Sequence, residues 1–115
     1  MSAIRSFWLV SALVLSSACE DPLGLRTPED KAFFAKVDRI AVGDREADVL
    51  KTLGPPDHSG AEFFLTQRVG FEQEYAAAAR SGSAKYHSWR RAIDVTCTVG
   101  IDGSGGVAYK ACGGS

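Results

Sequence analysis

Cys97-Thr98-Val99-Gly100-Ile101-Asp102-Gly103-Ser104-Gly105-Gly106-Val107-Ala108-Tyr109-Lys110-Ala111-Cys112 is the stretch on which the fold turns. Val99 and Ile101 alternate with small or polar residues. Asp102 to Gly106 is turn chemistry, and Val107 and Tyr109 take up the alternation again. Alternation of period two on both sides of a Gly-rich turn predicts a β-hairpin. Folding about that turn brings Cys97 opposite Cys112, or one place from it. A cross-strand disulfide is therefore expected, the alternative being one buried thiol in each strand. In the chain-entropy picture, closing a loop of about 15 residues stabilises a domain by about 3 kcal/mol.

Working back from the hairpin, Lys85 to Arg91 and Ile93 to Ile101 read as strands, and Val107 to Cys112 as the third. Phe71 to Arg80 carries four consecutive alanines and is expected to be helical, with Phe71, Tyr75 and Ala78 or Ala79 facing inward. Glu62 to Val69 fits either a short strand or a half-turn of helix, and Asp57 to Gly60 reads as a loop. Further back, Thr27-Pro28-Glu29-Asp30 starts a helix: Thr27 can cap, Pro28 suits the first position, and two acids meet the positive end of the dipole. Phe33, Val37 and Ile40 then share one face, which places this helix over about Pro28 to Asp38. Asp44 is expected to cap a second helix with Ala47, Val49, Leu50 and Leu53 as its apolar residues. Gly54-Pro55-Pro56 ends it. Helices first and antiparallel strands after predict an α+β domain: two N-terminal helices packed on a three-stranded antiparallel sheet, with an extra helix inserted before the sheet.

The amino end reads as an address. Phe7 to Leu15 is an apolar run broken only by Ser11. It follows a short segment charged at Arg5 and precedes Ser16, Ser17 and Ala18. These are the parts of a secretory signal peptide over residues 1–18. The run is too short to span a bilayer, which needs about 20 apolar residues. Leu15-Ser16-Ser17-Ala18-Cys19 resembles the lipobox of bacterial lipoproteins, although Ser16 stands where that family prefers Leu. The resemblance implies cleavage before Cys19 and lipidation of Cys19 by acyl chains such as palmitate. Residues 19–26 carry Pro and Gly without a clear period and read as the tether, with 27–115 as the folded domain. Two or more chains give stable anchoring where one is marginal. The alternative is ordinary secretion with Cys19 as a free thiol.

The 115 residues have room for one small domain, and their 45% apolar and 23% charged composition is that of a folded one. A net charge of −1 gives no basic footprint, so no nucleic-acid partner is expected.

The string from Ile40 to Asp57 resembles the signature of the SmpA/OmlA lipoproteins, the BamE-like group. The resemblance rests on Ile40, Gly43, Val49, Leu50, Leu53, Gly54 and Pro56. Asp44 and Arg45 depart from the family pattern, and the helix from Phe71 to Arg80 has no place in its minimal plan. The resemblance implies two helices on a three-stranded sheet, similar also to β-lactamase-inhibitor modules. It further implies a role in outer-membrane assembly or envelope maintenance.

No enzymatic constellation is legible in the chain. Asp102 to Gly105 lacks the spaced acids of a calcium loop, and its glycines precede no Lys-Ser or Lys-Thr helix. His58 and His87 have no spaced partner ligand for zinc. Neither metal nor cofactor is expected, and the chain is read as not being an enzyme. The segment Tyr86-His87-Ser88-Trp89-Arg90-Arg91 interleaves aromatics and cations. Alternation places Tyr86, Ser88 and Arg90 on one face and His87, Trp89 and Arg91 on the other. Trp89 either fills the core or joins Tyr86, Arg90 and Arg91 in a partner-binding patch. The expected function is that of a lipoprotein facing the periplasm, anchored to a membrane (the outer one) through Cys19 and binding a protein partner. The alternative is an inhibitor-like module that blocks an enzyme.

Overall fold

The computed structural model describes residues 27–91 and 95–114. The signal segment, Cys19, the tether and the expected strand start at Ile93 lie outside the described residues. In chain order the elements are α1 (Pro28–Arg39), α2 (Glu46–Leu53), β1 (His58–Gly60), α3 (Glu72–Arg80), β2 (Ser83–Arg91), β3 (Val95–Asp102) and β4 (Val107–Gly114). The fold is α+β, with three helices and a four-stranded antiparallel sheet in the order β1-β2-β3-β4.

The fourth strand corrects the three-stranded expectation. His58-Ser59-Gly60 has no apolar alternation to announce it. It becomes a strand because the edge of β2 offers unpaired backbone, with His58 opposite Ser88 and Ser59 opposite His87. Asp57, just before it, reinforces the pairing: its carboxylate accepts from the Arg90 amide at 2.8 Å.

α1 starts as expected. Thr27 Oγ1 accepts from the Asp30 amide at 3.1 Å, and the Asp30 carboxylate accepts from the Thr27 amide, a reciprocal capping box. α2 starts differently. Its cap is Arg45, without a side-chain bond. The Asp44 carboxylate turns back to accept from the Ala41 amide at 2.9 Å, closing the turn between the helices. That turn is stitched to the hairpin by backbone bonds from Gly43 to Val107, Val107 to Asp44 and Glu46 to Gly105. Gly54, at φ 84°, ends α2 in a conformation that disfavours residues with a Cβ.

Each face of the sheet carries its own layer. On one face α1 and α2 deliver Phe33, Val37, Ile40, Val49 and Leu53 against Trp89, Cys97, Val99, Ile101 and Val107. Lys110 Nζ fastens the end of α1 to β4 by donating to the carbonyls of Val37 and Asp38, each at 2.9 Å. This puts a cation at the negative end of the helix. The other face is covered by α3 and by residues 61–71, which form neither the strand nor the helix that Glu62–Val69 allowed. Their backbone is held by side chains instead: Tyr75 OH accepts from the Leu65 amide, Thr98 Oγ1 donates to the Phe64 carbonyl, and the Thr66 and Thr96 hydroxyls meet at 2.7 Å. Phe63 packs edge-on against Tyr75, Tyr86 and Tyr109. Gly113 has no room for a side chain, because a Cβ there would lie 2.7 Å from the Phe71 ring and 2.9 Å from Leu65. Residues 96–101 of β3 are consequently all buried, polar and apolar alike.

Candidate functional site

β2 runs between the two layers and carries every residue of the expected binding patch. Tyr86 is buried, and its hydroxyl donates to the Ala78 carbonyl at 3.1 Å. Trp89 has no exposed surface. Its ring lies 6.3 Å from that of Phe33, and Nε1 donates to the Gly54 carbonyl at 3.1 Å. Both aromatics therefore belong to the interior, which is the core reading of Trp89. Arg90 is exposed. Arg91 is half-buried, with its guanidinium 4.5 Å above the Phe33 ring and 3.1 Å from the Asp57 carboxylate. What β2 presents outward from this segment is the arginine pair.

The same strand assembles a second group that no local motif announces. His87 leaves the sheet on the face covered by α1 and α2 and is buried, with 7% of its surface accessible. Its Nδ1 lies 2.6 Å from Ser59 Oγ on β1, and its Nε2 lies 2.6 Å from Glu46 Oε2 at the start of α2. Lys85 Nζ approaches the same carboxylate oxygen at 2.8 Å. The Lys85 ammonium first, and His87 next, hold the Glu46 carboxyl below its ordinary value of 4.5. Glu46 is therefore an acceptor only, and Nε2 must carry the hydrogen it receives. In the neutral ring Nδ1 is then left as a lone pair facing the Ser59 hydroxyl. Ser59 itself is exposed.

Alternation places His87 on one face of its strand with Trp89 and Arg91 and gives it no spaced zinc partner, and Ser59 falls in the expected loop from Asp57 to Gly60. Ser59 and Glu46 stand 28 and 41 residues from His87, so nothing local links them. The three meet because β1 pairs with β2 and α2 begins over the same face. His58 projects to the opposite face, edge-on to Phe64 at 4.9 Å. Among the described residues no cluster of three His, Cys, Asp or Glu side chains could hold a metal ion. An open groove of about 520 Å³ borders Glu46, between Gly43, Arg45 and the turn at residues 104–106.

Cys97 and Cys112 face each other directly across β3 and β4 and are joined by a disulfide, with Cα atoms 4.0 Å apart. Cys97 is buried under the helices, and Cys112 is exposed on the outer strand. No described helix is long and apolar enough to cross a membrane. Comparison of the chain with protein-family models, with curated proteins and with solved structures finds no match.

Proposed function

We propose that this protein is a lipid-anchored module of the bacterial envelope that faces the periplasm from the outer membrane and binds a protein partner. The observation that carries this reading is the Cys97–Cys112 disulfide. Structural disulfides belong to oxidising compartments, in keeping with export. The bond also uses two of the three cysteines, so Cys19 is left over directly after a signal-like apolar run, where a lipid would be attached. The resemblance of residues 40–57 to the SmpA/OmlA lipoproteins points the same way. Arg90 and Arg91, at the end of β2, supply side chains of the kind that protein interfaces favour.

Intact mass of protein extracted from membranes tests the anchor. Residues 1–18 should be absent and acyl mass should sit on Cys19. A Cys19→Ser chain that still sediments with membranes would count decisively against it. Pull-down from envelope extract tests the binding. Recovery of assembly components supports the proposal, whereas recovery of a single hydrolase favours the inhibitor-like alternative. Arg90→Ala combined with Arg91→Ala should weaken capture and leave the fold intact.

A further inference from the structure

We infer that Ser59 is a nucleophile activated by His87 and positioned by Glu46, and that the substrate class is a carboxylic ester. Nucleophilic serines need a base within about 2.6–3.2 Å and a third group that orients the base. Ser59, His87 and Glu46 supply that chain at 2.6 Å for each link, from three different elements. The roles of the ring nitrogens follow from the carboxylate. Nε2–H donates to Glu46, so Nδ1 accepts from Ser59. This is the serine–histidine–acid relay with its two nitrogens exchanged. Burial fixes the imidazole, while Ser59 is exposed at the sheet edge, where an ester can reach it. Lys85 keeps Glu46 charged from the solvent side.

In the reaction Ser59 Oγ forms a bond to the acyl carbon as its proton passes to His87 Nδ1. The bond from that carbon to the alcohol oxygen breaks, and the departing alcohol takes the proton from Nδ1. Water then attacks acyl-Ser59, gives a proton to Nδ1 and releases the acid, after which the serine oxygen recovers that proton. Electrons balance without an oxidant or a reductant. Glu46 touches no reacting atom; it holds the ring and stabilises the imidazolium. The inference concerns the folded domain and does not depend on the anchor.

The test is covalent labelling of the purified, disulfide-intact protein with diisopropyl fluorophosphate, followed by peptide mass spectrometry. Ser59 should be phosphorylated much faster than Ser104, an exposed serine of the same chain. With p-nitrophenyl acetate, a burst approaching one acyl group per chain should map to Ser59. Ser59→Ala should abolish both signals. His87→Gln should slow labelling by about 100-fold or more, the range of a general base. Glu46→Ala should slow it strongly, and Glu46→Gln, whose amide oxygen can still accept from Nε2–H and hold the ring, should restore part of the rate. Wild-type protein labelled at Ser59 no faster than at Ser104 overturns the inference without recourse to any variant. So does a His87→Gln protein that melts like wild type and labels at the wild-type rate.

Discussion

Trp89 and Glu46 show how much a single residue of this domain carries. Trp89 joins Phe33 of α1 to the carbonyl of Gly54 at the end of α2, so truncating it empties the core and strands a polar group. Trp89→Ala should lower stability by about 3–5 kcal/mol in a denaturant melt. Glu46 makes stability depend on acid. Its carboxyl is held below the ordinary 4.5 in the folded chain, so its contribution is present above that value and is lost as the pH falls through the lowered folded value. Melting temperature should fall as the pH drops below 4.5. Glu46→Gln should lose less over the same acid window. These two residues also differ in how visible they were. Trp89 sat in a strand that alternation could read, and only its burial needed the structure. Glu46 carries no local signal, because its partners Lys85 and His87 both come from β2, which follows β1 and another helix.

At the scale of elements, the hairpin and α1 were legible because their signals are local: turn glycines between alternating strands, and a capping threonine ahead of Phe33 and Val37 at helical spacing. β1 and residues 61–71 were not, because tertiary partners decide them. β1 borrows its structure from β2, and residues 61–71 are held by Thr66, Tyr75 and Thr98 without regular structure of their own. The disulfide fixes the register of β3 against β4, where Cys97 faces Cys112. Reduction should destabilise the domain by about 3 kcal/mol, read as the difference between melts with and without reductant. A Cys97→Ala, Cys112→Ala protein should melt like the reduced wild type and ignore added reductant.

For the whole molecule, the decisive arrangement is a sheet covered on both faces. Two helices were expected on one side, and the inserted helix with the segment before it closes the other. β3 is therefore paired along both edges and buried above and below. Its amides should be the slowest of the chain in hydrogen exchange, with those of the three-residue edge strand β1 among the fastest. Equal protection of β1 and β3 would contradict this layering. The placement of the disulfide within one hairpin also bears on how the chain matures. Three thiols can form three different single crosslinks, but under the lipidation proposed for Cys19 only one remains. On that proposal an oxidase alone would suffice, and no isomerase would be required to undo wrong pairings. A chain kept unlipidated should instead pass through scrambled species, and its yield of native protein should come to depend on thiol shuffling.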